Sequence, residues 1–306
     1  MNRRQTLALL PPLTLFHQLN AAKSDFRIRY VLSSALFGDL PLAEVLPEVA
    51  LSGAEGIDIW RKRHATHREQ IDQMGDSGFQ SLLQSSGTEL LISTCYPLGP
   101  WGRDEEMAWV AKNGGQMTVC GTGSMGAKNA EGDEAKRGVK AFFEKLKPHL
   151  DIAQSLGVVM AFENHANSLL HHPDSMRYFA EFNPDPAHIG IAFAPHHLQL
   201  FGDKNVAPMI QELGNEHIPF IYFQEYGIGS KQLVAKEVEL QQLPGRGTLD
   251  YRPIVDALRQ IQFNGLAEIF MHPTPRGIPM LPTAKEITTE VIRSRTYLDD
   301  CLVQTA

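Results

Sequence analysis

The chain is expected to be an α/β protein folded as a single (β/α)8 barrel. Short apolar runs alternate with longer amphipathic ones through residues 26–300, the pattern of strands joined by helices in a parallel sheet. There are eight such runs, which favours closure into a barrel over an open doubly wound sheet. No GxGxxG or Walker A motif follows the first run, so the main cue for an open nucleotide-binding sheet is missing. At 306 residues, with 43% hydrophobic and 21% charged residues, the composition is that of one large globular domain and excludes wholesale disorder or a fibre.

The first strand is expected at 26–33 and a helix at 42–52, followed by a strand at 56–60. A polar, helix-compatible stretch runs to about residue 86, and the third strand follows at 89–96. Asp104, Glu105 and Glu106 open a helix over 104–112, where acids suit the positive N-terminal end of the helix dipole. The fourth strand is 116–121. The longest helix, 134–156, buries Phe142, Leu146, Leu150, Ile152 and Leu156, and Gly157 stops it. The fifth strand is 158–163, and Pro173 starts the next helix. The sixth strand is 188–194, a short helix covers 208–213, and the seventh strand is 218–224. A helix over 250–261 turns Ile254, Leu258 and Ile261 to one side. The eighth strand is 266–271, and a helix over 284–298 closes the chain.

Residues 1–22 read differently. Arg3-Arg4 precede an uncharged stretch that ends in Ala21-Ala22, the layout of a twin-arginine-type export signal, which predicts an exported, periplasmic protein. A frayed tail on a cytoplasmic protein is the alternative. The apolar run is too short and too broken by Pro11-Pro12 to span a membrane, so no stable membrane insertion is expected. Residues 23–306 form the barrel domain. Cys95, Cys120 and Cys301 have no metal-knuckle spacing and are expected as small buried hydrophobes. The net charge of −7 gives no support for a nucleic-acid partner.

In a (β/α)8 barrel the reactive groups project from the C-terminal strand ends and the loops after them. Nine of the twelve histidines lie at or after His149, so the polar endowment sits in the second half. Glu163 and Glu268 are each embedded in an apolar run, where a carboxylate is costly unless it binds a cation or hydrogen bonds. Facing one cavity, they would serve as an acid/base pair, as metal ligands, or as both. His165 and His197 are substrate-contact candidates. His197 is preferred to His196 because adjacent residues point to opposite sides. His272 and Arg276 follow strand eight, where barrel loops often hold an anion and Arg offers a planar fork. Trp60 is a candidate sugar-stacking face after strand two, and Tyr226 a contact after strand seven.

Together, FENHAN at 162–167, PHHL at 195–198, LPGRGTLDY at 243–251 and the strand-eight glutamate resemble the xylose isomerase-like barrel superfamily. This group includes sugar phosphate isomerases and epimerases, inosose isomerases and dehydratases, tagatose-type epimerases and the endonuclease IV relatives. The resemblance implies one divalent cation, Mn²⁺, Mg²⁺ or Zn²⁺, held by Glu, Asp, His and Glu from strands five to eight. Glu163 and Glu268 match the two glutamates. Ala194 stands at the Asp position, and strand seven contains no histidine. His197 and Gln224 are the candidates to complete the metal set, and a metal-free site is the alternative. The implied activity is isomerisation or epimerisation, or a related lyase reaction. It would abstract a proton α to the carbonyl of a free or oxidised sugar or polyol, with Glu163 and Glu268 as base and acid on opposite faces. A barrel that binds carbohydrate without catalysis is the alternative. The expected partner is a small carbohydrate, with a homo-oligomer compatible. A DNA-cleaving role would need a multi-metal ligand cluster and a basic groove, and the two missing ligands and the net charge of −7 speak against it.

Overall fold

A computed structural model of the chain describes residues 26–305. The expected export signal at 1–22 lies outside the described residues. Eight parallel strands close into a barrel in chain order: β1 (Arg29–Ser33), β2 (Ile57–Trp60), β3 (Leu90–Thr94), β4 (Met117–Gly121), β5 (Val159–Glu163), β6 (Ile189–Phe193), β7 (Phe220–Phe223) and β8 (Leu266–Ile269). β8 pairs back onto β1 through Arg29–Leu266, Tyr30–Ala267 and Val31–Glu268. Both faces of every strand are covered, so the strands are continuous apolar runs rather than alternating ones. Gly190 in β6 is required by this packing, because a Cβ there would lie 2.2 Å from Pro219 Cδ.

The outer ring contains α1 (Leu42–Ser52), α2 (His67–Ser86), α3 (Asp104–Lys112), α4 (Gly132–Leu156), α5 (Pro173–Phe182), α6 (Pro195–Leu198), α7 (Val206–His217), α8 (Lys236–Glu239), α9 (Arg252–Gln260) and α10 (Ala284–Gln304). α4 buries Phe142, Leu146 and Leu150 as expected, and Gly157 caps it at φ 65°. The ring of Phe142 meets that of Phe162 on β5 edge to face at 5.0 Å. α10 starts with a capping box between Thr283 and Glu286. All three cysteines are free and buried.

Four elements differ from expectation. α7 runs beyond 208–213 at both ends, bending at Gly214, where φ is 66°. α2 bends at Gly75 with φ 76°. Two short helices, α6 and α8, follow β6 and β7 and were not expected from periodicity. No helix among the described residues is long and apolar enough to cross a membrane.

Candidate active site at the barrel mouth

Because all strands are parallel, their C-terminal ends share one mouth, and a cavity of about 360 Å³ opens there, within the range of small-molecule sites. The end of β2 supplies Trp60, Arg61, Arg63 and His64. The end of β3 supplies Thr94 and Tyr96. Opposite them stand Glu163 and His165, with Phe270 and His272 completing the wall.

Glu163 is the last residue of β5 and only 5% exposed. Burial pushes its carboxyl up to about 7, opposed by the nearby His165. The next residue, Asn164, braces the neighbouring strand end. Its Nδ2 donates to Ala194 O (3.0 Å), and its Oδ1 accepts from Ala194 N (2.7 Å). His165 returns to the cavity. Its Nδ1 lies 2.7 Å from Ala166 O, which places the proton on that nitrogen and leaves Nε2 as an acceptor. Burial also lowers the pKa of His165, keeping the ring neutral.

Pro195 opens α6 directly after β6, and this one-turn helix carries His196 and His197. The His197 ring lies 4.2 Å from that of His165 and 4.0 Å from that of His196. Its Nε2 sits 3.4 Å from Glu163 Oε1 without the alignment of a hydrogen bond. One ligand atom each from Glu163, His196 and His197 lie within 4.8 Å of one another. Nδ1 of His196 and Nε2 of His197 are buried without a partner. Burial holds His196 well below its ordinary pKa and His197 at about 3, so both rings are neutral, the form that ligates metal. One carboxylate and two imidazoles with an open position suit a catalytic divalent cation. These residues therefore fit such an ion. Sequence reading set His196 aside because strand neighbours alternate, but on a helical turn successive side chains diverge by only about 100° and both can converge on Glu163.

Glu268 lies deeper than expected. It is fully buried in β8, and the cavity wall two residues further along the strand is Phe270. Asp58 of β2 is its charged neighbour and is also fully buried, accepting from Thr94 N (2.9 Å) and Thr94 Oγ1 (2.6 Å). Among the described residues neither oxygen of Glu268 has a partner at full hydrogen-bond geometry, although the Ser33 hydroxyl and Asp58 are polar neighbours. Burial, then the Asp58 charge, raises the Glu268 pKa far above its ordinary value, while burial takes Asp58 to about 6. The pair is thus a buried carboxylic acid beside a carboxylate. Glu163 is within electrostatic reach of Glu268, and Tyr222 senses all three acids. Of the two, Glu163 lines the cavity and Glu268 does not.

The other expected residues divide. His272 lines the cavity. Trp60 does too, but it is 2% exposed and its ring is covered by Phe270 (4.8 Å), His64 (5.1 Å) and Tyr96 (6.0 Å), so it offers no open face for stacking a sugar. Gln224 donates to Gln242 Oε1 (3.0 Å), and Gln242 in turn grips the backbone of His272. Gln224 is thereby part of an amide brace, and its own Oε1 is unpartnered. Tyr226 is 43% exposed, accepts from Lys231 Nζ (3.0 Å) and lies outside the cavity wall. Arg276 is aimed by two carbonyls, Pro273 O (2.9 Å) and Ser230 O (2.7 Å). The LPGRGTLDY segment is a brace: Leu249 N donates to Glu225 Oε2 (2.8 Å) just after β7, and Arg246 pairs with Glu290 on α10. Sequence reading missed Asp58, Arg61, Arg63, His64 and Tyr96. Asp58 carries the same signal as Glu268, an acid inside an apolar strand, and residues 61–64 follow a strand end directly.

A parallel eight-stranded barrel with a carboxylate and imidazoles gathered at its mouth defines a class of small-molecule site. The chain belongs to the xylose isomerase-like TIM barrel family, whose model matches residues 46–293. Among solved structures it resembles the IolI protein with a bound zinc atom, at TM-score 0.67 and 16% identity over 91% of this chain and 99% of that one. It also resembles 3-keto-D-glucoside 4-epimerase YcjR from E. coli, at TM-score 0.64 and 14% identity over 88% and 100% of the two chains. A third neighbour is D-psicose 3-epimerase in the presence of D-fructose, at TM-score 0.65 and 12% identity over 90% and 99%. No curated protein matches the chain by sequence.

Proposed function

We propose that the chain is a sugar isomerase or epimerase, or a closely related lyase, that removes a proton α to a carbonyl. The observation that carries this reading is Glu163: a buried carboxyl at the cavity floor, raised to about 7 and without an Arg or Lys partner among the described residues. A base held near the working pH is suited to take a carbon-bound proton and return it. Here Glu163 removes the α proton, and the electron pair moves onto the carbonyl oxygen to give an enediolate. Return of that proton from the Glu163 carboxyl to the neighbouring carbon gives an isomer, and delivery of a solvent proton to the opposite face of the same carbon, with Glu163 releasing its own to solvent, gives an epimer. His165 orients the substrate by accepting a hydroxyl proton at Nε2. A divalent cation held by Glu163, His196 and His197 would supply positive charge to the developing oxyanion and would keep the Glu163 carboxyl ionised as the base. Glu268, one layer down, keeps its proton on the Asp58 side and supports the charge balance of the floor rather than touching substrate. The epimerase neighbours support this reaction class, and a cavity of about 360 Å³ supports a small sugar or polyol. If residues 1–22 direct export, free or oxidised sugars are the substrates available.

The test is exchange of the α proton with D₂O across a panel of keto sugars, followed by NMR. The wild-type chain is expected to catalyse exchange, and Glu163→Gln to reduce it by at least roughly a hundredfold while leaving the circular dichroism spectrum intact. Retained exchange in Glu163→Gln removes this residue from the chemistry. A second reading, a binding barrel without turnover, is favoured by the alanine at 194, where the resemblance implies an aspartate. Saturable sugar binding with no exchange for any sugar would select it.

A further inference from the structure

Arg63 on the cavity wall and Arg276, in the loop after β8 that also carries the wall residue His272, make no ion pair with an acid among the described residues. Arg63 lines the cavity, is exposed, and makes no hydrogen bond or ion pair among the described residues. Arg276 is half-buried and held by two backbone carbonyls, with no carboxylate at ion-pair distance among the described residues. The two segments touch: a Cβ on Gly277 would lie 3.0 Å from Arg63 O. Both guanidinium charges act on His64, and Arg276 also acts on His165 and His272, three residues of the cavity wall. The other guanidinium on the cavity wall is already paired. Arg61 Nη2 meets Glu106 at 3.0 Å, and Glu239, the acid that faces Arg276, is taken by the Lys236 ammonium and by Thr274 N. The Arg63 charge acts on Arg276, and an anion between the two would offset that repulsion. The edge-to-face rings of His64 and His272, 5.1 Å apart, stand beside them and are neutral, so they add hydrogen bonds without adding charge.

We propose that Arg63 and Arg276 form an oxyanion subsite, so that the sugar taken by this cavity carries a carboxylate or a phosphoryl group. The proposal rests on the sugar-site reading above and narrows its substrate class. The anion anchors the far end of the substrate, and the reacting carbon extends toward Glu163 and His165 across the cavity. Arg276 is preset by its carbonyl contacts, whereas Arg63, free of contacts, closes on the anion as it arrives.

The test is titration calorimetry of the full chain with three probes: D-fructose, D-fructuronate and D-fructose 6-phosphate. At least one anion is expected to bind tenfold or more tightly than D-fructose, with a preference that weakens as salt rises. Which anion wins separates a carboxylate from a phosphoryl source. Arg63→Gln and Arg276→Gln are each expected to reduce the anion-over-fructose preference by roughly tenfold, and Arg276→Lys to keep part of it. Arg63 makes no contact that the fold needs, so its variant remains informative if Arg276→Gln fails to fold. Equal binding of D-fructose and both anions overturns the proposal, as does failure of both anions to bind or a preference that survives Arg63→Gln. Solvent exchange is read on the same samples: arginine-dependent anion binding without exchange rejects the isomerase reading and leaves the subsite standing.

Discussion

Beneath the cavity floor, Asp58 and Glu268 must share their protons. Both are fully buried, and two carboxylates side by side in that setting would each lack a counter-charge. Folding therefore raises both values, Asp58 from 3.8 to about 6 and Glu268 well above 4.5. The folded chain holds protons that the unfolded chain has released, so this stabilisation is complete below pH 3.8 and lost as pH rises through about 6. The expected result is that the pH dependence of the thermal midpoint between pH 3.8 and about 6 changes slope in Asp58→Asn, the variant gaining on the wild type as pH rises. An unchanged slope in that variant would remove the pair as its source. Glu163 and Glu268 were both legible as acids inside apolar runs, and Asp58 in GIDIW carries the same mark. Depth was not legible. Alternation along a strand assigns a face but not a layer, and the two residues from Glu268 to Phe270 separate floor from cavity wall.

At the scale of elements, the site depends on α6, a single turn too short to register as helical periodicity. The Asn164 clamp fixes where β6 ends, Pro195 starts the turn, and the turn delivers His196 and His197 to Glu163. If this group holds a cation, Zn²⁺ or Mn²⁺ should stabilise the fold by about 2.7 kcal/mol at a hundredfold excess over Kd, read as a rise in thermal midpoint. His196→Ala and His197→Ala should each reduce that rise, and the double variant should abolish it. A rise that persists in the double variant would place the ion elsewhere. The distinctive LPGRGTLDY segment illustrates the opposite case. It was legible as a motif, yet Glu225 and α10 use it to tie β7 to the last helix, and none of it lines the cavity.

For the whole molecule, barrel closure makes the last helix responsible for the first strands. α10 packs against α1 and α9, Arg295 Nη1 donates to Ser52 O and Gly53 O (both 2.9 Å), and Tyr30 of β1 donates to Asp299 (3.2 Å). The architecture was legible because strand and helix periods alternate eight times, a global pattern that small boundary errors do not disturb. The mouth was less legible because its loops bring together residues 61–64 and 272–276, a proximity set by ring closure rather than by local sequence. Closure also implies cooperative unfolding. Leu298 on α10 is fully buried, and Leu298→Ala should cost about 2–5 kcal/mol. The three tryptophans, Trp60, Trp101 and Trp109, all lie in the first half of the chain. In a denaturant titration their fluorescence should therefore shift to lower midpoint together with the far-ultraviolet circular dichroism, although the substitution is about 190 residues away in sequence. Loss of helix signal at a lower denaturant concentration with tryptophan emission unmoved would mean that α10 frays alone and that β1–β8 pairing holds the barrel without it.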